Sequence, residues 1–395
     1  MKKYLFLAVI SATLVVLTSC TLPAFITSKI SGGVPGEGVK TAAQTDVTAG
    51  VKNDGIIEGA ASKEADTANK VKLQDGKSGN TRESSIAMQD NRVIPSRTFP
   101  DEYKGDKIPV TLYYQDREGY LIPVSRLLER QEGIARAAIG MLTDSTINRE
   151  DIEYYGLYPA LPAGTELLGI NIREGTATID FGRKFTDYRD ETSEKNIIAS
   201  VVYTLTGFNT VNNVKILVNG YPQKVLKYGT DISGVLTRSN VLLNSKKANL
   251  TPGTKKVDVF LYKRVNSSRN YLLPVSVEQN TLSEEELPGK IVDLLAKDYS
   301  GTKLFSQIPA KTRLLQSSIK GNTLELNFNS EFVNYGGTSR EEGVVKQVLY
   351  SMRQIKGVDK VRIKVEGKDK PLPEGTEISG EHGLPKFINA VIESF

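Results

Sequence analysis

The chain has 395 residues, of which 39% are hydrophobic and 25% charged, so it can form two or three ordinary globular domains. Its net charge of +5 comes from interleaved basic and acidic residues, which argues against the concentrated basic face of a nucleic-acid-binding protein. One Cys and one His exclude an internal disulfide and a zinc site built from Cys and His ligands.

The N-terminus combines two lysines with an apolar run over residues 5–17, which is short for a membrane-spanning helix. The run ends in LTSC at 17–20 and resembles a bacterial lipobox. The resemblance implies a lipoprotein signal peptide over 1–19 and a diacylglyceryl group on Cys20, whose two acyl chains suffice for stable anchoring to the outer face of a cell membrane. A plain signal peptide with an incidental Cys and an uncleaved anchor stay open as alternatives.

Residues 20–104 form the next segment, which begins with the lipidated Cys. Between 21 and 100 the only aromatic residues are Phe25 and Phe99, and no hydrophobic period is visible. Such a composition buries too little apolar surface to offset the ordering entropy, so a disordered tether is predicted, with an r.m.s. span on the order of 50 Å. Alternatively, residues 86–94 pair with the first domain.

An internal repeat follows the tether. YLIPVS at 120–125 recurs as YLLPVS at 271–276, and residues 162–220 align without a gap to 309–367, with about 18 of 59 positions identical. A unit of this length indicates domain duplication. We therefore predict one domain over 105–244 and a second over 256–395, joined by a linker over 245–255.

Each copy begins with two predicted strands and a helix. β-Branched and aromatic runs over 110–114 and 257–261 predict strands, and a proline in each return strand predicts an edge position or a strand end. A helix is predicted over about 133–142 in the first copy. In the second copy Ser283 and Glu286 predict a capping box before a helix over 287–296.

The rest of each copy is a hairpin, a long helix and a last core strand. Alternating apolar residues over 177–181 and 324–328 predict half-buried strands. Apolar stripes predict amphipathic helices at these positions: Ile197, Ile198, Val201, Val202 and Leu205, then Val344, Val345, Val348, Leu349 and Met352. The order β-β-α-β-β-α-β predicts an α+β fold, with the helices on one face of a small mixed sheet.

Two stretches carry a family resemblance. Residues 162–169 leading into 178–181, and residues 199–206 running on to 214–220, resemble the GerM family of sporulation and spore-germination lipoproteins, whose members carry two tandem GerMN domains. The lipobox, the tether and the duplication occur in the expected order. The second copy departs from the pattern at Asn327, which replaces Asp180, and at 350–353, which replaces 203–206.

The resemblance implies a function as well as a fold. GerMN domains are similar to the ring-building motifs of secretin and basal-body proteins, and the family helps to place a channel complex between the mother-cell and forespore membranes. The implied partners are the membrane through Cys20, channel or engulfment proteins of sporulation, and further copies of the chain. No enzymatic activity, cofactor, nucleic acid or small-molecule substrate is implied.

Few residues suggest catalysis. His382 lies in a turn-like GEHG sequence without a nucleophile motif, and an exposed loop histidine is predicted. Asp180, Asp187 and Asp190 could be presented as a carboxylate cluster for glycoside hydrolysis. Two of them align with Asn327 and a glycine in the second copy, so helix capping and solvation explain them better.

Tyr335 and the following Gly336-Gly337 suggest a phosphate-cradling loop, but the Lys and Ser/Thr spacing of a P-loop is missing. A loop capped by Thr338 together with Glu341 is the simpler interpretation. Eight tyrosines could include interface anchors or core residues: Tyr113, Tyr114, Tyr120, Tyr154, Tyr155, Tyr158, Tyr203 and Tyr221. Tyr203 and Tyr350 share one repeat position and are predicted to be structural.

A second function class is a solute-binding or cell-wall-binding lipoprotein. The predicted element order differs from the doubly wound lobes of solute-binding proteins, and the chain has no Trp. An envelope hydrolase is disfavoured because no nucleophile, base or metal-ligand set is visible.

Overall fold

The computed structural model describes residues 106–391. The signal peptide and the tether predicted before residue 105 lie outside this range. The first copy contains these elements: β1 (Lys107–Gln115), β2 (Leu121–Glu129), α1 (Ile134–Gly140), α2 (Thr146–Glu153), β3 (Leu167–Arg173), β4 (Thr176–Phe181), α3 (Glu191–Leu205), β5 (Asn213–Val218) and β6 (Tyr221–Pro222).

The second copy repeats this order without a counterpart of α2 and with a short strand in its place. Its elements are β7 (Lys255–Asn266), β8 (Arg269–Gln279), α4 (Leu287–Leu295), β9 (Leu304–Phe305), β10 (Leu314–Lys320), β11 (Thr323–Phe328), α5 (Thr338–Met352), β12 (Lys360–Val365) and β13 (His382–Gly383). None of the helices between residues 106 and 391 has the length and apolarity needed to cross a membrane.

The fold class is α+β, as predicted, and each copy holds its strands in two sheets. The opening hairpin is a sheet of its own, β1-β2 in the first copy and β8-β7-β9 in the second. The other sheet is mixed and four-stranded, in the order β3-β4-β5-β6 or β10-β11-β12-β13. Its two central strands are parallel because the long helix α3 or α5 forms the crossover between them.

The predicted apolar stripes form the cores. The five stripe residues of α3 are at most 1% exposed, and those of α5 are at most 6% exposed. The alternating residues of β4 and β11 are buried in the same core, and a stacked phenylalanine pair fills the same place in each copy. The ring centroids are 4.2 Å apart for Phe181 and Phe185, and 4.1 Å apart for Phe328 and Phe332.

Caps were predicted from the sequence at the starts of the helices α4 and α5. The Ser283 hydroxyl accepts from the Glu286 backbone N–H, and the Glu286 carboxylate accepts from the Ser283 backbone N–H, so the two bonds of the predicted capping box form. They lie in the turn before α4, whose N-cap is Glu286 itself. The start of α5 was predicted wrongly. Its N-cap is Gly337, which has φ 96° and no side-chain cap, and Thr338 is already helical.

The helix α2 was not predicted. It begins after Ser145, whose hydroxyl accepts from the Asn148 backbone N–H as an N-cap. Only Ile152 of this helix is buried, so no apolar stripe marks it in the sequence.

The two copies meet through β2 and β8, the strands that carry the repeated proline. Each strand is the outer strand of its hairpin sheet, which confirms the predicted edge position. Two asparagines bridge the strands. The Asn244 side chain binds the backbone N–H and C=O of Leu121 and donates to the Pro274 carbonyl.

Asn389 repeats this arrangement in the opposite direction. Its side chain binds the backbone N–H and C=O of Leu272 and donates to the Pro123 carbonyl. The tail of each copy therefore docks on the β-hairpin of the other, with approximate two-fold symmetry. Ser125 and Ser276, the last residues of the repeated motif, bind the backbones of Ile388 and Leu243 in the same exchange.

Candidate interaction surfaces

Cys20, the predicted lipidation site, lies outside the described residues, so the lipid anchor stays a prediction. The boundaries of the two domains and of the 245–255 linker also stay predictions. Within that segment, residues 248–250 fold back on Asn240 and Leu242 through backbone hydrogen bonds. The Thr251 backbone N–H donates to the Glu278 carboxylate of β8.

The three candidate aspartates have separate structural partners. Asp190 is the N-cap of α3 and accepts from the Ser193 backbone N–H, so the predicted capping role is confirmed for this residue. Asp180 accepts from the Gly220 backbone N–H at 2.8 Å, and Asn327 accepts from Gly367 at 2.7 Å in the same turn of the second copy. Asp187 pairs with Lys184. An amide oxygen serves as well as a carboxylate at the 180/327 position.

His382 was predicted to be an exposed loop residue, and this prediction was wrong. It lies in the short strand β13, paired with Val361 of β12, and its Nε2 is buried without a hydrogen-bond partner. The imidazole is half-buried, and this burial lowers the pKa of His382. A short strand of two residues carries no periodicity, so the sequence could not reveal the pairing.

The Gly336-Gly337 loop is occupied by the protein's own carboxylate. The Gly337 backbone N–H donates to Glu374 Oε1 at 2.7 Å. This negative group takes the donor that a phosphate would need. Within residues 106–391, no group of three or more His, Cys, Asp or Glu side chains is arranged to hold a metal ion.

Two buried glutamates hold the loops against the long helices, and the sequence pattern did not single them out. Glu341 is fully buried and does not cap its own helix; it accepts from the backbone N–H groups of Glu374 and Thr376. Glu194, its counterpart in α3, is equally buried and accepts from the Tyr228 and Thr230 backbone N–H groups. The signal was present, since this Glu is one of the identical positions of the repeat.

The tyrosines divide between core and surface. Tyr113, Tyr114, Tyr203 and Tyr350 are buried, which confirms the structural assignment of Tyr203 and Tyr350. The Tyr203 hydroxyl donates to the Val241 carbonyl at 2.9 Å and accepts from Lys256 Nζ at 2.5 Å. This contact joins the two copies.

An apolar pair is exposed at the same place in both copies, on the strands β3 and β10 that end the mixed sheets. Leu168 and Ile172 are 49% and 38% exposed, and Leu315 and Ile319 are 51% and 52% exposed. We call these four residues the edge pairs. They are identical between the copies, whereas exposed Tyr221 aligns with a lysine. Scattered exposed apolar residues are normal, but these four lie at matching positions of the repeat.

A cleft of about 820 Å³ lies between the two copies. Aromatic and proline side chains form much of its wall, including Tyr113, Phe260, Pro123 and Pro274. Six cationic side chains line it, namely Arg238, Lys255, Lys256, Arg353, Lys356 and Lys386, against two carboxylates, Asp258 and Glu284. We call this feature the inter-copy cleft.

Comparisons with known proteins agree with the duplicated fold. A family model described as "Germane: Sporulation and spore germination" matches residues 111–224 and 259–371, more than half of the chain. The spore germination protein GerM of Bacillus subtilis (strain 168) is 25% identical over 300 residues, which are 73% of this chain and 81% of that protein.

A solved structure of the tandem GerMN domains of the B. subtilis sporulation protein GerM is also similar. It has a TM-score of 0.61 and 25% identity, and the match covers 71% of this chain and 99% of that structure. The similarity extends over both copies, in line with the family resemblance that the repeated stretches indicated. This chain therefore belongs to the Germane family of sporulation and spore germination proteins.

Proposed function

We propose that this chain is a non-enzymatic, membrane-tethered lipoprotein that helps to assemble or position a channel complex between two membranes during sporulation and germination. Family membership supports the sporulation and germination role. The predicted lipobox supports attachment to the membrane through Cys20. The contribution of the folded part is to present contact surfaces at a fixed spacing.

The edge pairs are the observation that carries this proposal. The outer strands β3 and β10 have no neighbouring strand on one side within residues 106–391, and both expose a Leu and an Ile four residues apart. An open strand edge offers backbone hydrogen bonds, and the apolar side chains add contact area for a partner strand or helix. Two such edges on one chain allow it to bridge two partners or two neighbouring subunits.

The polar residues that would be examined first for catalysis support the non-enzymatic role. Asp180, Asp190 and Glu194 bind backbone N–H groups of the fold, and Asp187 is held by a lysine. A general base needs a free acceptor beside the proton that it removes. Three of these carboxylates are engaged by the backbone of the fold, and Asp187 forms a solvent-exposed ion pair.

The proposal is tested by crosslinking a tagged copy in sporulating cells of the host and identifying the proteins that co-purify. We expect envelope proteins of the channel and engulfment machinery to dominate. Recovery of a transporter permease or a wall hydrolase as the main partner would contradict the assembly role. The tagged chain with Cys20→Ala serves as a control, because it separates partners that need the membrane tether from those that bind the folded part.

A further inference from the structure

The inter-copy cleft has a charge that the shared fold does not require. Its cations Lys256, Arg353 and Lys356 occupy positions that hold Pro109, Thr206 and Asn209 in the first copy. The first copy forms the same strand and helix with uncharged residues there. The second copy therefore adds three cations to the cleft at positions where the shared fold accepts uncharged residues, and one of them, Lys256, also contacts Tyr203 of the first copy.

These cations are only partly neutralised by the protein. Lys256 is paired with Asp258 at 2.8 Å, and Lys356 with Glu284 at 3.9 Å. Within residues 106–391, Arg353 and Lys386 have no carboxylate partner. The Arg353 guanidinium lies over the Tyr350 ring, 5.9 Å from its centroid, and remains accessible to solvent.

Arg353 shares the cleft with a second cation, Arg238. Partial desolvation by the cleft wall, together with the Arg238 charge, lowers the pKa of Arg353, although its side chain still reaches solvent. An isolated cation in such a place is stabilised by an anion that takes the position of the missing partner. The cations of the cleft would therefore attract a carboxylate or a phosphate.

The apolar wall decides between these anions. Phe260, which is only partly buried, faces the same space as the cations, beside the buried Tyr113, Pro123 and Pro274. A phosphodiester polymer would leave Phe260 uncovered, whereas a peptide that alternates acidic and apolar side chains would use both features. A cleft of about 820 Å³ has room for a segment of a few residues.

We propose that the inter-copy cleft binds a short acidic peptide segment of a partner protein, with a carboxylate held by Arg353 and Lys386 and an apolar side chain against Phe260. This site is separate from the edge pairs, and it does not depend on the proposed sporulation role.

The test is fluorescence anisotropy of a labelled peptide, Asp-Phe-Glu-Leu-Asp-Glu, titrated with the full-length protein in detergent at about 0.15 M salt. We expect binding that is at least about tenfold weaker for Arg353→Thr and for Lys386→Thr, and that is largely kept by Arg353→Lys. Lys370→Thr is the matched control, because it removes the same charge from an exposed position outside the cleft.

Arg353→Thr places the first copy's own residue at this position, and its unchanged melting temperature would show that it folds. The same peptide with Gln and Asn in place of Glu and Asp should bind at least about tenfold more weakly. No binding to the unmodified protein, or equal binding by Arg353→Thr and Lys370→Thr, would overturn the proposal. Tighter binding of a polyphosphate of equal charge would make the occupant a phosphate polymer and the peptide assignment wrong.

Discussion

A carboxylate inside a protein needs donors that replace the water it loses. Glu194 has three: the Tyr188 hydroxyl at 2.7 Å and the Tyr228 and Thr230 backbone N–H groups at 2.8 and 2.9 Å. Burial acts to raise the pKa of Glu194, but these hydrogen bonds outweigh it, so the pKa is lowered below its ordinary value of 4.5. The ionised group thus ties helix α3 to the loop that follows β6.

We predict that Glu194→Gln lowers the free energy of unfolding at about pH 7 by about 1–3 kcal/mol, because each carboxylate oxygen accepts from one backbone N–H and the NH2 group of the amide would face one of these donors. The pH dependence has a definite sign. A lowered pKa contributes stability above pH 4.5 that is lost as the pH falls toward the folded-state pKa. The difference between the two proteins should therefore narrow in acid.

Urea unfolding at about pH 7 and about pH 3.5 measures this difference. Glu191→Gln is the control, since Glu191 begins the same helix but is exposed, and its change should stay within about 0.5 kcal/mol. If the unmodified protein and Glu194→Gln differed as much in unfolding free energy at about pH 3.5 as at about pH 7, the ionisation of Glu194 would be unimportant for stability.

Residue roles could be predicted where the two copies could be compared. Asp180 aligns with Asn327, and both side chains accept a hydrogen bond from the backbone N–H of the glycine in the same turn. The importance of Glu194 could have been inferred from its identity with Glu341, together with the GT[DE]ISG sequence that is repeated at 229–234 and 375–380 and whose Thr supplies one backbone donor in each copy. The environment of His382 could not be inferred from the sequence, because its two-residue strand is defined by pairing with the distant Val361.

At the scale of elements, helix side chains complete the edges of the hairpins. Ser200 of α3 donates to the Tyr113 carbonyl at 2.6 Å, and Thr204 accepts from the Tyr113 backbone N–H at 3.3 Å. The second copy repeats this pattern with α5. The Gln347 amide donates to the Phe260 carbonyl, and the Ser351 hydroxyl accepts from the Phe260 backbone N–H. The helix thus acts as a neighbouring strand and shields an edge that would otherwise pair with another chain.

We predict that Thr204→Val lowers the free energy of unfolding by about 1–3 kcal/mol, since it keeps the side-chain shape but leaves the buried Tyr113 N–H without an acceptor. Hydrogen exchange of the Tyr113 amide should become faster, while the core of β4 stays protected. Thr178→Val is the matched control on the wet face of β4, with an effect within about 0.5 kcal/mol. An equal loss in both variants would mean that valine is simply unfavourable, and would exclude the edge-shielding role.

Elements with long periodic patterns were predicted well, and short ones were not. The stripes of α3 and α5 and the alternation of β4 report burial directly, because each repeats a contact with the core. The short strands β6, β9 and β13 have two residues each and are defined by pairing alone. The division of the strands into two sheets was also beyond local pattern, since it depends on where the long helix inserts.

At the scale of the whole molecule, the exchange of tails makes the two copies one body. The repeated YL[IL]PVS sequence predicts a strand that contains a proline. The structure explains the proline by the contact between β2 and β8. Proline leaves its carbonyl free for the asparagine of the other tail and removes an N–H that would need a partner. The tails themselves share little sequence, so nothing local indicated that Asn244 and Asn389 are equivalent.

A buried ion pair strengthens this contact. Lys263 of β7 reaches Asp116 at 3.4 Å and Glu118 at 3.0 Å in the first copy, and the Lys263 and Asp116 side chains are 4% and 3% exposed. We predict that Lys263→Met lowers the free energy of unfolding of the two joined copies by about 3–5 kcal/mol, because it leaves the buried Asp116 carboxylate without its cation.

Urea unfolding followed by circular dichroism measures this loss, and a single transition is expected for both proteins. Lys303→Met is the control: Lys303 pairs with the same Glu118 but is 69% exposed, so its loss should be about 1 kcal/mol or less. Comparable losses for the two lysines would be inconsistent with a buried, energetically important contact between the copies.

We propose that the edge pairs are the surfaces through which this protein joins an assembly. The most direct test compares crosslinked partners recovered from sporulating cells that carry the wild-type chain, the double variant Leu168→Lys and Leu315→Lys, or Tyr221→Lys. Tyr221 is also exposed, and lysine is the residue of the second copy at that position. We expect loss of the specific partners in the double variant alone, with the double variant and Tyr221→Lys both folded and present at equal levels. Full recovery of the partners by the double variant would contradict it.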